Sequence, residues 1–381
     1  MPRFWQRVTE GLAMDQLWQQ FRSEAHASYQ LYRKEMDRGA GVESDEGFRR
    51  GLRVARELFW TVLMKLSPAR RILLLLALVF SFLGAFHFKF QHASFSADMR
   101  GWAILLLLLL LAFELADRVT MKRDLEIARE IQRWLVPESP PQIPGVEIAF
   151  STRPANTVAG DYYDAFFRDA EQKRLLLVVA DVAGKSVPAA LLMATFQACL
   201  HACARECDGP LPLAERLNQF ACTRSLDGRR FTTSFLAELD LEGRSLHYVT
   251  SGHNPPVLVR AAGSAERLEP GGLPFGIDPA AKYEPGIARI GPGDLLFVFT
   301  DGLVEALNPS DEPYGDERML EALDFLRGQS AAATIRGLTE SVDRFSAGAR
   351  QYDDITCLAV RLEPGAGSVP APPQAASLGQ A

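Results

Sequence analysis

The sequence predicts a mixed α/β or α+β domain that follows a helical, apolar N-terminal third. Two observations support this prediction. After Pro144, apolar runs rich in β-branched and aromatic residues alternate with segments of helical pattern, as in domains that combine sheets with helices. Before Pro137, two long apolar runs and a stretch without helix breakers dominate instead. The two parts therefore have different roles.

The composition of the 381 residues excludes several classes of protein. The chain is 48% hydrophobic and 23% charged, which argues against wholesale disorder. Its net charge of −6 argues against nucleic acid as the main partner, because phosphate binding needs a basic surface. The charge is uneven, since residues 1–71 carry a net +4 and the remainder a net −10. Five cysteines indicate a reducing compartment rather than a disulfide framework, and the first residues lack a signal-peptide pattern.

Residues 1–66 carry no chemical motif. Their helical pattern and mixed charge, interrupted near residues 39–47, predict a cytosolic helical region. A small sensory or docking element is the alternative interpretation. Either way, the chemistry is expected in the C-terminal part of the chain.

Residues 67–118 are predicted to form a two-helix transmembrane hairpin. Residues 72–90 and 102–116 are almost entirely apolar, and each run approaches the roughly 20 residues that a spanning helix needs. Basic residues flank the outer ends of the two runs: Arg70, Arg71, Arg118, Lys122 and Arg123. The positive-inside rule then places both termini in the cytoplasm, with the hairpin in the lipid of the cytoplasmic (inner) membrane. The alternative is a buried soluble hairpin, against which the unbroken leucines of residues 105–111 argue.

Residues 119–140 are predicted to form a helical, coiled-coil-like linker. Five residues alternate at spacings of four and three, the pattern of a short heptad seam: Met121, Leu125, Ala128, Gln132 and Leu135. Ile127, Ile131 and Trp134 form a second apolar stripe. Two stripes suit a helix that pairs with a copy of itself and packs on the following domain, which predicts a homodimer. A plain spacer is the alternative. Prolines from Pro137 onward end the helix.

Residues 141–364 are predicted to be the mixed domain, and residues 365–381 a disordered, proline-rich tail. The predicted strands are VEIAFS, RLLLVVAD, FTTSFLAEL, SLHYVT, DLLFVFTD and DITCLAVRL. The predicted helices cover residues 187–205, 212–226, 316–327 and 331–347.

Carboxylates recur at the ends of the predicted strands, close to glycines. They are Asp161 and Asp164 in AGDYYD, Asp181 in LLLVVAD, Asp301 in LLFVFTD, and Asp353 and Asp354 in YDDITCLAV. Acids at strand ends can converge on one point, and hard divalent cations prefer such oxygen ligands. Any single aspartate is more often a turn or cap residue. Four such positions in one domain favour a Mg²⁺ or Mn²⁺ site over a zinc site.

Other motifs support weaker interpretations. Residues 183–186 (AGKS) look like the end of a phosphate-binding loop, but that motif needs a glycine where Val179 stands. His253 could be a catalytic acid or a residue that braces a loop, and bracing is favoured. Three cysteines at helical spacing fit packing better than a metal or redox cluster: Cys199, Cys203 and Cys207. No serine or cysteine nucleophile with a histidine partner can be defended.

From about residue 127 to 361 the chain resembles the SpoIIE/RsbU branch of the PPM (protein phosphatase 2C-like) metal-dependent serine/threonine phosphatases. The matching stretches occur in the family's order: AREIQRWLVPESPPQIPGVEIA, RPANTVAGDYYD, VVADVAGKSVPAALLMA, TTSFLAELD, SGHNPPVLV, GGLPFGI, GDLLFVFTDGLVEALN and YDDITCLAV. So many ordered matches make the resemblance highly specific.

The resemblance implies an α+β fold of PPM type, an α-β-β-α sandwich in which helices flank two packed sheets. It also implies two Mn²⁺ or Mg²⁺ ions at one end of the sandwich. Their ligands would be Asp161, Asp181, the main-chain carbonyl of Val182, Asp301, and either Asp353 or Asp354. The adjacent acids leave that last position open. A metal-bound water would attack phosphorus in line, so no covalent phospho-enzyme is expected.

The sequence departs from the family's pattern at three points. Ala159 and Ser186 stand where the family commonly has glycine, and no histidine follows the Asp301–Gly302 pair as in eukaryotic relatives. The general acid and the substrate-binding residues are therefore unassigned. Because none of these departures removes a metal ligand, an active enzyme is expected.

The usual substrate in this branch is a phosphoserine or phosphothreonine on a STAS-domain anti-anti-sigma factor. Together with the predicted membrane hairpin, the resemblance implies a membrane-anchored protein serine/threonine phosphatase of bacterial signalling, controlled through its linker. One alternative is a catalytically idle scaffold that binds phosphoproteins, against which the retained carboxylates argue. Another is a hydrolase for small phosphorylated molecules.

Overall fold

The computed structural model of the chain describes residues 56, 59–60, 63–90, 93–224 and 230–363. It divides into two compact units, Met1–Thr120 and Met121–Ala381. Most of the predicted N-terminal helical region, 1–66, and the predicted disordered tail, 365–381, lie outside the described residues.

The first unit contains helix α1 (Pro68–Leu83), strands β1 (Ala85–Phe90) and β2 (Ala93–Asp98), and the beginning of helix α2 (Arg100–Leu135). The two strands pair antiparallel, with Ala85 opposite Asp98. Arg70 near the start of α1 forms ion pairs with Glu114 at 3.3 Å and Asp117 at 2.7 Å. These ion pairs join α1 to α2.

The prediction of one continuous helix over residues 72–90 is wrong. The helix ends at Leu83, where Gly84 takes a φ of 63°, a left-handed conformation that glycine adopts without a Cβ clash. After Gly84, phenylalanines alternate with polar residues in the sequence FHFKF, which is the period of a strand. The apolar composition of the run concealed this change of period.

The second unit contains two sheets. The first has the order β10 (Gly271–Gly272), β7 (Ser245–Ser251), β6 (Thr232–Asp240), β5 (Arg174–Val182) and β4 (Tyr162–Phe167), with β11 (Gly286–Arg289) also paired to β7. The second has the order β3 (Val146–Arg153), β13 (Ile355–Leu362), β12 (Leu295–Phe299), β8 (Val257–Val259) and β9 (Ala265–Arg267). All described pairings in these sheets are antiparallel except that of β10 with β7.

Three buried apolar clusters separate the layers of this unit. The first contains side chains from both sheets, such as Leu177 and Val298, and therefore lies between them. The second joins the first sheet to α3 (Val187–Ala204) and α4 (Pro210–Arg224). The third joins the second sheet to α5 (Gly315–Phe325) and α6 (Ala331–Ser346). The unit is a helix–sheet–sheet–helix sandwich, and the predicted α+β class is confirmed.

The structure explains the continuous apolar sequence of strand β5. Both of its faces are covered, so its apolar run is continuous rather than alternating. Leu175, Leu177 and Val179 enter the cluster between the sheets. The intervening residues enter the cluster beneath the helices: Leu176, Val178, Ala180 and Val182. The strand is thereby fixed in register, and its last residues are delivered to one edge of the sandwich.

The described helices differ in how well they could cross a membrane. Only α3 is both long and apolar enough to cross a membrane by length and composition, and α3 packs on the first sheet of the second unit. Helix α1 has 16 residues, and three charged residues flank or interrupt the apolar part of α2: Arg100, Glu114 and Asp117. Yet most apolar side chains of both helices are exposed, including Phe82 at 89%.

The end of α2 that belongs to the second unit presents two faces. Leu125, Ala128, Gln132 and Leu135 of the predicted heptad seam are half-buried. The second predicted stripe is exposed, with Ile127 at 47%, Ile131 at 50% and Trp134 at 75%. Gln132 is hydrogen-bonded to the backbone of Ala159, so the seam faces the sandwich and the other stripe faces away from it.

Candidate metal centre

Strand β5 carries Asp181 and Val182 to the edge of the first sheet. Val182 is buried and Asp181 half-buried. The turn into α3 is tight, because Gly184 has a φ of 123° and Ser186 a φ of 63° with ψ −146°. That conformation is costly for a residue with a Cβ, and such strain is usually retained at functional sites. Ser186 is one of the two positions where the sequence departs from glycine.

Asp161 lies beside Asp181 because β4 pairs antiparallel with β5. Tyr162, the first residue of β4, is opposite Ala180. The backbone of Gly160 approaches closely, since a Cβ there would lie 3.2 Å from the carbonyl oxygen of Val182 and 3.7 Å from Oδ1 of Asp181. Asp161 is buried, and it lies close enough to Asp181 for the two carboxylates to repel each other. The first sheet thus brings together three of the predicted ligands.

The second sheet brings the remaining acids to the same edge. Asp301 follows β12 and opens a single 3₁₀ turn, Asp301–Leu303. Asp353 and Asp354 precede β13, whose Cys357 is opposite Phe299 at the end of β12. The end of one strand and the start of the other therefore lie side by side. The hydroxyl of Thr300 donates a 2.9 Å hydrogen bond to Oδ2 of Asp161, which ties the two sheets together.

The neighbouring acids Asp353 and Asp354 have different surroundings. Asp354 is only 8% exposed, and its two carboxylate oxygens accept the backbone N–H groups of Ala155 at 2.7 Å and Gly160 at 2.6 Å. The side chain of Asp353 is 38% exposed, and its Oδ2 lies 3.0 Å from Nζ of Lys185. Asp354 braces the backbone before Asp161, while Asp353 faces the open side of the cluster.

The carboxylates of this cluster raise one another's pKa values. Burial, Asp301 and Asp353 raise the pKa of Asp181 to about 7. Burial, together with Asp181 and Asp354, raises the pKa of Asp161 well above its usual range. Burial, with Glu305 and Asp353, also raises the pKa of Asp301. Such a group of acids needs protons or cations to neutralise it.

The donor set fits a hard divalent cation. The acidic side chains at this edge offer carboxylate oxygens, and the carbonyl oxygen of Val182 lies close to them. Within the described ranges, however, no three His, Cys, Asp or Glu side chains already stand close enough to enclose an ion. The residues fit the chemistry of Mg²⁺ or Mn²⁺, and their side chains would have to turn toward it.

Asp164 belongs to a different network. It is buried, and its Oδ2 accepts a 2.6 Å hydrogen bond from the hydroxyl of Tyr162. Nε2 of His201 on α3 lies 2.8 Å from the same oxygen. The ring of His201 stacks on Phe166 at 4.4 Å. This carboxylate fastens β4 to α3 rather than joining the cluster of acids.

The predicted packing role of the cysteines accords with their surroundings. Burial raises the pKa of Cys199 to about 12, and burial also raises the pKa of Cys207. Cys203 is buried with its Sγ 4.0 Å from that of Cys199. Thiols with raised pKa values are poor nucleophiles and behave as small apolar groups.

His253 braces a loop, as favoured from the sequence. It is 7% exposed, and its Nδ1 lies 3.2 Å from the hydroxyl of Thr233. Burial lowers its pKa to about 4. The imidazole is therefore neutral near pH 7 and carries no proton to donate as an imidazolium acid.

Replacing His253 by Asn should make the free energy of unfolding less sensitive to acid. The folded pKa lies below the ordinary value of 6.5, so this stabilising contribution is complete above pH 6.5 and is lost as the pH falls towards 4. Between pH 7 and 4, the difference between wild type and variant should change by about 3 kcal/mol. Urea unfolding at several pH values measures it. A difference that stays constant with pH would contradict this account.

Three contributors to the cluster were not predicted from the sequence. Thr300 was hidden because a threonine before Asp301 looks like any strand residue. For Lys185 the sequence suggests only a place in a phosphate-binding loop. The spacing predicts that Gln132 belongs to a heptad seam, and a polar residue at a seam position is a signal of a specific partner. Its amide donates to the carbonyl of Ala159 at 2.7 Å and accepts from the N–H of Ala159 at 2.9 Å.

The comparisons with known proteins agree with this geometry. The family Stage II sporulation protein E (SpoIIE) matches residues 171–363. Protein IcfG of Synechocystis sp. is 29% identical over 284 residues, which cover 66% of this chain and 43% of that protein. Phosphoserine phosphatase RsbU of Bacillus subtilis is 28% identical over 186 residues, 49% of this chain and 54% of that protein. The chain spans about half the length of the curated relatives it matches.

Solved structures show the same fold. The SiaA-PP2C domain of Pseudomonas aeruginosa matches with a TM-score of 0.59 at 20% identity, over 65% of this chain and 99% of that domain. The RsbU and RsbW domains of Rv1364c from Mycobacterium tuberculosis match with a TM-score of 0.52 at 26% identity, over 62% of this chain and 64% of that one.

Proposed function

This chain belongs to the SpoIIE family, and on that premise we propose that it hydrolyses phosphoserine or phosphothreonine esters on a protein. One observation carries the proposal: Asp161, Asp181, Asp301 and Asp353 come from four separate segments to one edge of the sandwich. A relative that is 28% identical over 186 residues is itself named a phosphoserine phosphatase.

Two Mn²⁺ or Mg²⁺ ions are proposed as cofactors. Asp161, Asp181, Asp301, Asp353 and the carbonyl of Val182 would hold them. When bound, such ions supply an activated water and neutralise charge on the phosphoryl group. Asp354 would not be a ligand in this arrangement, because both of its oxygens already accept backbone N–H groups.

The chain's own residues would keep these acids in place. Thr300 donates to Asp161 and accepts from the N–H of Thr356 at 2.9 Å, so the same hydroxyl links both sheets. Asp354 holds the N–H of Gly160, the residue before Asp161. Such supporting hydrogen bonds orient metal ligands and raise metal affinity.

A phosphoprotein, proposed to be a STAS-domain anti-anti-sigma factor, would be the substrate. One solved relative contains an RsbU domain and an RsbW domain in a single protein, which associates this kind of domain with regulatory proteins. The ratio kcat/KM should be at least about 10-fold higher for a phosphoserine protein than for p-nitrophenyl phosphate, because the protein adds contacts outside the phosphate. Equal ratios for the two would favour a hydrolase of small phosphate esters.

A membrane anchor is proposed for the first unit, with two spans and both termini in the cytoplasm. The exposed apolar side chains of α1 and α2 support this proposal, because a large continuous apolar surface is unfavourable in water and is typical of a membrane-contacting segment. They include Ile72, Phe82, Trp102, Leu105, Leu108 and Leu111. Full-length protein should sediment with membranes and resist extraction by alkaline carbonate. Release into the supernatant would contradict the anchor.

A homodimer is proposed through the exposed stripe of Ile127, Ile131 and Trp134, rather than through the predicted heptad seam. Ile131→Asp should raise the dimer dissociation constant by about 100-fold or more, because each dimer would lose two buried isoleucines. Analytical ultracentrifugation of detergent-solubilised full chain measures this. Arg133→Asp, an exposed position on the same helix but off both stripes, is the matched control. Equal constants for the two variants would exclude this stripe.

A further inference from the structure

Lys185 occupies a special position in the turn between β5 and α3. Its neighbours Gly184 and Ser186 both have positive φ, so the backbone is bent sharply on either side of it. This bend directs the side chain across the cluster of acids to the second sheet. There Nζ donates to the carbonyl oxygen of Tyr352 at 2.5 Å and lies 3.0 Å from Oδ2 of Asp353.

A cavity of about 430 Å³ opens beside these groups. Its walls include Lys185, Gly302 and Asp353, together with Arg153, Arg350 and Tyr352. The cavity therefore adjoins the acids proposed to hold metal, and it is wide enough for a phosphorylated side chain with its flanking residues.

The three cations of this cavity differ in their engagement. The guanidinium of Arg153 is paired with Asp343 at 2.5 Å. That of Arg350 lies over the ring of Tyr352, 5.9 Å from its centre. The ammonium of Lys185 has three N–H donors, of which the described contacts use two. Its side chain is 54% exposed, so the third donor is accessible from the cavity.

A phosphate monoester near pH 7 carries close to two negative charges, and the cluster of acids repels it. A positively charged donor from the protein would add to the attraction of any cation that the acids hold. Lys185 follows Asp181 and Val182 in the same turn. Its ammonium also pairs with Asp353, the carboxylate that faces the open side of the cluster. The ammonium of Lys185 would therefore lie within reach of a phosphate ester bound beside the cluster of acids.

We propose that Lys185 binds the phosphoryl oxygens of the substrate phosphoprotein through its third N–H donor. This inference rests on the proposed phosphatase function and adds a substrate-binding residue to it. An isolated, exposed Lys–Asp pair contributes little to stability, so a pair of that kind alone does not account for the strained turn that holds Lys185 in place.

The test compares Lys185→Met, which keeps the aliphatic stem, with Lys185→Arg, which keeps the charge. The control is Lys173→Met, since Lys173 is also exposed and pairs with two carboxylates, Glu171 and Glu242, at the opposite end of β5. All are full-length proteins in detergent, assayed with Mn²⁺ and a phosphoserine peptide. Calorimetry measures their binding of Mn²⁺ alone and of inorganic phosphate to the Mn²⁺-loaded protein.

Lys185→Met should raise KM about 10-fold or more, because a charged hydrogen bond to the substrate is lost. Its affinity for inorganic phosphate should fall by a similar factor, while its Mn²⁺ affinity changes less than about 3-fold. Lys185→Arg should recover most of the loss, and Lys173→Met should match wild type. Unchanged KM and phosphate affinity in Lys185→Met would overturn the proposal, as would a loss of Mn²⁺ affinity large enough to explain the effect.

The phosphatase proposal and the proposal for Lys185 can be tested separately. If the wild-type protein releases no phosphate with any metal, the phosphatase proposal fails. Calorimetry with inorganic phosphate then still decides the role of Lys185. Weaker phosphate binding in Lys185→Met than in wild type and Lys173→Met supports it, and equal binding overturns it.

Discussion

Replacing Asp353 by Asn should lower metal-dependent phosphate release by about 100-fold or more and leave the free energy of unfolding within about 1 kcal/mol of wild type. Asp353 faces the open side of the cluster, and the proposed metal site uses its charge to hold a cation, so little of the fold should depend on it. Asp354→Ala should instead lower mainly the free energy of unfolding. It would leave the N–H groups of Ala155 and Gly160 without their acceptor, at about 1–3 kcal/mol each.

Comparing the variants of these two neighbouring acids shows which acid holds a metal ion and which one braces the backbone. For both variants, urea unfolding measures the free energy of unfolding, and phosphate release measures the activity. Asp354→Asn keeps one acceptor oxygen and should fall between Asp354→Ala and wild type in stability. If Asp354→Asn abolished phosphate release at unchanged stability while Asp353→Asn remained active, the assignment of ligand and brace would be reversed.

Gly302→Ala should both destabilise the protein and inactivate it. A Cβ at this position would lie less than 3.0 Å from the carbonyl carbon and oxygen of Asp354. The obstacle is backbone, so no side-chain rotation can relieve it. The 3₁₀ turn carrying Asp301 would have to move away from the segment carrying Asp353. We expect a loss of about 1–3 kcal/mol in the free energy of unfolding, and at least about 100-fold in phosphate release.

Gly291→Ala is the matched control for this substitution. A Cβ at Gly291 meets its nearest atom, Oδ2 of Asp294, at an ordinary 3.5 Å. It should therefore keep near wild-type stability and activity. If Gly302→Ala behaved like Gly291→Ala in both measurements, the close approach between the two segments would not matter for the site.

The strands and acids of the sandwich were predictable because each signal is local. The runs ending at Asp181 and Asp301 are apolar for their full length and close with an acid, and all six predicted strands form. Five strands of the sandwich were not predicted. Strand β4 is interrupted by the charged Asp164, and β8 to β11 have only two to four residues, which carry too little pattern.

The rest depends on contacts between residues distant in the sequence. Nothing near Asp353 and Asp354 tells them apart. The difference comes from Ala155 and Gly160, which are 199 and 194 residues away from Asp354. The two stripes of the linker helix were likewise found from their spacing, but which stripe faces the sandwich is decided by the bond between Gln132 and Ala159.

The central claim is that these acids support metal-dependent hydrolysis of a phosphoserine ester. The most direct measurement is phosphate release by the full-length protein from a phosphoserine peptide with Mn²⁺, with Mg²⁺ and with EDTA, beside Asp181→Asn. We expect turnover only with metal, and its loss in Asp181→Asn without any fall in the free energy of unfolding, because the amide removes a charge that burial and the neighbouring acids Asp301 and Asp353 disfavour. Turnover in EDTA, or turnover that survives Asp181→Asn, would contradict it.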